Sequence, residues 1–312
     1  MPPMKSNTTS FCRSPFTSLF TFIFATTFCT LAHRTQAQLY VGELVSTSHS
    51  VGEFNLTTGA TINASLVTGL TSPYGFALSG NNLFVANRDT NVVGEYDATT
   101  GAAINASFIT GVSSPFALAI SGNNLFVSSQ SNGTIGQYDA TSGAVINPSF
   151  ITGVSDARAL VISGNNLFVE TTSNDTVGLY SATTGAAINS HFITVPGPWG
   201  LAISGNNLFL GSVDLKKVGE YDATTGAVIN ANFISTGGDL PEALAMSGNS
   251  LFVGLNGGTV GKYDATTGNA INASFITGLS YAPSLAIATP EPSTWITLAA
   301  GATMLLSFHR RK

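Results

Sequence analysis

Cysteine is almost missing from this chain of 312 residues: Cys12 and Cys29 are the only two, and both lie in the N-terminal leader. A chain that has lost its leader therefore has no disulfide, no thiol nucleophile and no cysteine-ligated zinc. Charge is scarce as well, at 9% of residues with a formal net charge of -5. Outside the two ends the basic residues are Arg88, Arg158, Lys216, Lys217 and Lys262, set against many carboxylates. That balance repels nucleic acid and anionic lipid surfaces. Histidine is equally sparse, since only His49 and His191 belong to the body, in different repeats. A zinc site or a Ser-His-Asp triad has almost no raw material. No G-x-S-x-G elbow occurs, and Gly261-Lys262 runs into Tyr263, which lacks the hydroxyl position of a phosphate loop. No body segment has a helical period, and no metal or cofactor is expected.

What the chain does have is repetition. Six units of about 42 residues fill it from the leader to a short tail. Ser-Gly-Asn-Asn-Leu-Phe-Val recurs from Ser79, Ser121, Ser163 and Ser204, and loosely from Ser247. Val-Gly-x-Tyr-Asp recurs through Tyr96, Tyr138, Tyr221 and Tyr263. In one unit, β-prone runs at 117–120, 125–128, 134–138 and 144–151 are separated by SGNN and DATSG segments. Gly and Asn tolerate positive φ, and Asp and Thr side chains bond nearby amides, so both segments favour tight antiparallel reversals.

Four short antiparallel strands repeated six times predict an all-β, six-bladed β-propeller over residues 38–289. The chain opens with a second strand at Leu39 and ends with a first strand at 285–288. The last strand is thus expected to pair into the first blade and seal the ring, removing exposed sheet edges.

The order Pro-x-Gly/Ala-Leu-Ala-Ile, Leu-Phe-Val, Val-Gly-x-Tyr-Asp resembles NHL and YVTN-type propeller repeats over residues 39–289. Such a resemblance implies a fold shared by binding modules, lyases and hydrolases alike. The chain departs from the NHL pattern where a carboxylate often follows the second strand. Glu43 stands there in the first unit and Asn87, Ser129, Thr171, Ser212 and Leu255 in the others, and a lyase or lactone hydrolase would lack the inner carboxylate ring expected for a metal.

The ends carry sorting signals. Residues 1–37 combine a weakly basic start, a Phe-rich apolar stretch and the small-residue exit Thr35-Gln36-Ala37, a secretory signal cleaved before Gln38. At the other end Pro290, Glu291 and Pro292 precede an apolar run at 296–308 and the basic His309-Arg310-Arg311-Lys312. This order resembles the PEP-CTERM sorting signal. The resemblance implies an exosortase-type transpeptidase as processing partner, a Gram-negative source that makes exopolysaccharide, and display at the cell surface or in the matrix. A permanent single-span membrane anchor is the alternative and gives the same topology.

Strand direction puts the SGNN and DATTG turns on one end of the disc, where the units are nearly uniform. The loops on the other end differ in every unit. Just before the innermost strand stand Tyr74, Phe116, Arg158, Trp199, Glu242 and Pro283, expected to ring the mouth of the central channel. Three aromatics with an Arg and a Glu suit stacking on a sugar or an aromatic group with polar contacts to orient it. Arg88 and Glu170 are further candidates nearby. The recurrent Asp97, Asp139, Asp222 and Asp264 align with Asn55 and Ser181, which share hydrogen-bond acceptance but not ionisation. A turn role is therefore expected of them. Asn63, Asn105 and Asn272 match a glycosylation acceptor in form and an edge-strand polar pattern in place. The residues point to an exported module binding a glycan or a surface protein; a propeller enzyme and a spacer without ligand remain as alternatives.

Overall fold

Each recurrent phrase becomes a strand. In blade 2 these are Pro73–Ser79, Asn82–Asn87, Val92–Asp97 and Ala103–Thr110, from the channel outward. The computed structural model describes residues 36–45 and 48–288. The leader, the motif of Pro290, Glu291 and Pro292, and the apolar tail lie outside the described residues. Within them there are six four-stranded antiparallel sheets and no α-helix. No helix among the described residues is long and apolar enough to cross a membrane.

The Leu-Phe-Val phrase occupies the second strand, where it is covered on both faces. Phe84, Phe126, Phe168, Phe209 and Phe252 have no exposed surface. Each meets the Phe of its own outer strand, with ring centroids 5.2 to 5.7 Å apart. Together these rings form a core between adjacent blades, so that Phe84 and Phe108 pack with Leu125 and Tyr138 of the next blade. Burial between blades is what a single repeat cannot achieve alone.

The ring closes as expected. Leu285–Ala288 pairs antiparallel with the first 38–41 segment, Leu39 opposite Ile287 and Val41 opposite Leu285. It also touches the inner strands Pro241–Ser247 and Pro73–Ser79 on either side. The seam resembles every other blade junction. Gly143, Gly185, Gly226 and Gly268, all at φ near +72°, sit against the carbonyl of a Phe in the preceding blade's outer strand, and Gly59 sits the same way against Phe275 across the seam.

Outer strands divide sharply. Val228–Ser235 has five exposed residues, then buried Phe233 and Ile234, and the other outer strands follow suit. A register shift separates the halves in each blade. There the side chains of Asn63, Asn105, Asn147, Asn189, Asn230 and Asn272 accept the amide two residues on, at 3.0 to 3.1 Å. These asparagines thus hold a bulge on a sheet edge, a device that blunts edge-to-edge pairing.

Candidate functional site

One end of the disc is spent on its own turns. In blade 5 the Asp222 carboxylate accepts the amides of Thr224 and Thr225 at 2.9 and 2.7 Å and the Asn206 side-chain amide at 2.5 Å. Thr224 in turn donates its hydroxyl to Asn206. Blades 3 and 6 repeat the arrangement with Asp139 and Asp264. Hydrogen bonds from the turn hydroxyls, led by Ser142, Thr225 and Thr267, hold these three carboxyls below their ordinary range. Asn55 accepts the same two amides, from Thr57 and Thr58, without a charge. The recurrent aspartates therefore build turns. Among the described residues no group of three or more His, Cys, Asp or Glu is placed to hold a metal ion.

The opposite end is built by bulges. Five inner strands start with a register shift against their second strands, and the closing Leu285–Ala288 strand pairs without one: in blade 2 Pro73 pairs Asn87, but Gly75 pairs Ala86, which makes Tyr74 the extra residue. Arg158 and Glu242 are the extra residues in blades 4 and 6, and Phe116 and Trp199 fall within the shifts of blades 3 and 5. Two positions before Tyr74, Phe116, Arg158 and Trp199 the backbone is left-handed, at Ser72, Ser114, Asp156 and Gly197, with φ between 50° and 57°. A bulge re-aims a side chain out of the pleat; repeated around the ring, it turns successive residues toward the axis. Polar side chains after the second strand anchor the loops, as when Ser129 donates to the Ser113 carbonyl and Ser212 to that of Pro196.

The structure brings Tyr74, Arg158, Trp199, Glu242 and Pro283 to the wall of one cavity of about 100 Å³ at the channel mouth. Phe116 is buried beneath, stacked on Tyr74 with centroids 4.4 Å apart. The Arg88 guanidinium lies 5.4 Å from the centroid of the Tyr74 ring. The Arg158 guanidinium sits 3.9 Å from the Trp199 ring centroid and 6.0 Å from that of Phe116. It is also held by Asp156 through two hydrogen bonds of 3.0 and 2.8 Å. Four blades are thus linked by a continuous stack of rings and guanidinium groups. Beneath it the channel widens to a second cavity of about 350 Å³, walled by Leu78, Leu160, Ile203, Met246 and Ile287 among other apolar residues.

One carboxyl stands in the mouth and a second lies outside its wall. Glu242 is buried and accepts the hydroxyl of Tyr281; burial pushes its carboxyl up, against the pull of Tyr281 and Arg158. Glu170 does not reach the cavity wall. It is wholly buried, its Oε1 taking the Thr172 hydroxyl at 2.9 Å, while Oε2 has no hydrogen-bond partner among the described residues. Burial pushes its carboxyl well above the ordinary range, offset in part by Thr172 and by the charge of Arg158. Sequence reasoning missed Tyr281 and Asp156, whose only signal is closeness to Pro283 and Arg158 in the chain. His49 is partly buried and accepts the Ser72 amide at 2.9 Å.

No family model matches this chain. No curated protein matches it either. Among solved structures it is similar to a chain in a crystal structure of a nidogen/laminin complex, at 12% identity and a TM-score of 0.67, covering 82% of this chain and all of that one. It is also similar to the computationally designed Ika8 protein, at 18% identity and a TM-score of 0.46, covering 79% of this chain and 76% of that one. At 12% identity the first likeness extends to the fold, a six-bladed β-propeller, and no further.

Proposed function

We propose that this chain is an exported interaction module whose ligand, a glycan or a surface protein, binds at the channel mouth. The observation that carries the reading is the contrast between the two ends. One end repeats a single self-bonded turn, whereas the other gathers Tyr74, Arg158, Trp199 and Glu242 from four blades around one cavity. Large aromatic and Arg side chains at the centre of a concave site commonly dominate binding energy. The leader directs export. The tail is processed at Pro290, Glu291 and Pro292 by an exosortase-type transpeptidase, leaving the propeller at the cell surface or in the matrix of a Gram-negative bacterium.

Paired variants test the site. Trp199→Ala is expected to lose more than roughly 1 to 2 kcal/mol of affinity in glycan-array or pull-down binding, and Thr224→Ala in the opposite turns almost none. Equal binding by both would contradict the mouth as the site. Intact-mass measurement of the surface protein tests the processing: retention of Arg310, Arg311 and Lys312 in the mature form would contradict cleavage.

A further inference from the structure

The charge of the ligand follows from how the mouth has already committed its own charges, granted the reading that the mouth is the binding site. Among the described residues Arg158 is the one basic residue in the cavity wall, and Asp156 engages one edge of its guanidinium, through Nε at 3.0 Å and one terminal nitrogen at 2.8 Å. Arg88, at the rim, lies over Tyr74 and 3.7 Å from Asp89. Each of the two cations already has a carboxylate beside it. The carboxyls are in the reverse position. Glu242 has a neutral phenol as its hydrogen-bond partner, the wholly buried Glu170 has no partner for Oε2 among the described residues, and the charge of Arg158 is the cation that acts on both.

The aromatic faces point the same way. An indole face attracts a cation through its quadrupole, most strongly where water is excluded. In this structure the Trp199 face is covered at 3.9 Å by a guanidinium, that of Arg158. Arg158 reaches there as the bulged residue of its inner strand, with its hydrogen bonds going to Asp156 two residues before it. It occupies the position that a guest cation would fill.

We infer that the mouth recognises a cationic group, a guanidinium or an ammonium, seated on Trp199 and Phe116 against Glu242, and that Arg158 is an internal occupant which the ligand displaces. Such a group can arrive on an arginine side chain of a partner protein or on an amino sugar of a deacetylated glycan. An acidic polysaccharide does not fit.

The test uses the full chain carrying Trp295→Phe, so that Trp199 is its only tryptophan. Tryptophan fluorescence is followed on adding N-acetyl-arginine amide, glucosamine, N-acetylglucosamine or glucuronate. Saturable change is expected with the arginine amide or glucosamine, whichever source the site serves, and not with the neutral or the anionic sugar. Arg158→Ala is expected to tighten the cationic probe about tenfold or more by vacating the Trp199 face. Glu242→Gln is expected to weaken it about tenfold, with thermal melts showing that each variant is folded. Weaker binding by Arg158→Ala would make Arg158 a ligand contact and overturn the displacement. Saturation by N-acetylglucosamine or glucuronate alone would overturn the cationic class while keeping the mouth as the site. No response to any probe would overturn the inference, and the separate comparison of Trp199→Ala with Thr224→Ala would then decide the site itself.

Discussion

At the position facing the inner-strand bulge, five blades carry Gly42, Ala86, Ser128, Gly211 and Gly254, and the fourth carries Glu170. The small residues are dictated by space, because a β-carbon on Gly42 or Gly254 would lie 2.4 or 2.5 Å from an oxygen at the start of the neighbouring inner strand. Ser128 shows the useful polar role there: its hydroxyl oxygen accepts the Ala117 amide at 2.7 Å. Glu170, at the same position, brings two oxygens into a dry site, one of them without a hydrogen-bond partner among the described residues. Its raised carboxyl means that the folded chain holds the proton more tightly than the unfolded chain. Its stabilising share is therefore complete below the unfolded value near 4.5 and is lost as pH rises toward the folded value. Glu170→Gln is expected to flatten this fall and to stabilise the protein by about 1 kcal/mol or more at neutral pH. Urea melts from mildly acidic to neutral pH check it; an unchanged profile would contradict the account. The burial of this residue was not legible in the sequence, where Glu170 reads as one more polar residue near the variable loops.

The strands themselves were legible because their signals are local. Gly-Asn turns and alternating apolar residues placed the run at 134–138 within one residue of the observed Thr134–Asp139, and the outer run at 144–151 within one residue of Val145–Thr152. What the pattern did not reveal is why Val-Gly-x-Tyr-Asp keeps its glycine. Residues i and i+2 of a strand share a face, and the Tyr ring folds back over the glycine. A β-carbon on Gly219 would lie 2.8 Å from Tyr221, and Gly94, Gly136, Gly178 and Gly261 stand in the same relation to their tyrosines. Gly219→Ala is expected to destabilise by roughly 1 to 3 kcal/mol through overpacking, measured as a fall in the urea midpoint, whereas Gly205→Ala has open space but a φ of +57°. The bulges that aim the mouth residues were equally hidden. Pro73, Pro115, Pro198 and Pro241 mark the strand starts, but a register shift depends on partners far away in the chain. The candidate ring was therefore readable as a set of positions, and its stacking through Arg158 was not.

For the whole molecule, the closing strand joins fold and site. The mouth draws on residues from Tyr74 to Leu285, so it exists only when blade 6 is locked to blade 1. Six inter-blade cores share the burial, and the one at the seam unites Leu39, Val41 and Phe54 with Phe252 and Phe275. Loss of Leu285–Ala288 strips the first blade of its inner strand and leaves the inner strands on both sides with an uncovered apolar edge. The lost burial and pairing are worth roughly 3 to 5 kcal/mol or more. The most direct measurement is the thermal unfolding of a chain ending at Ser280 beside the full-length protein. A closed, cooperative ring predicts a single transition in the full chain and a large fall in midpoint, with loss of cooperativity, in the shortened one. A sharp transition at the full-length temperature would contradict the closure on which both the propeller and its mouth depend.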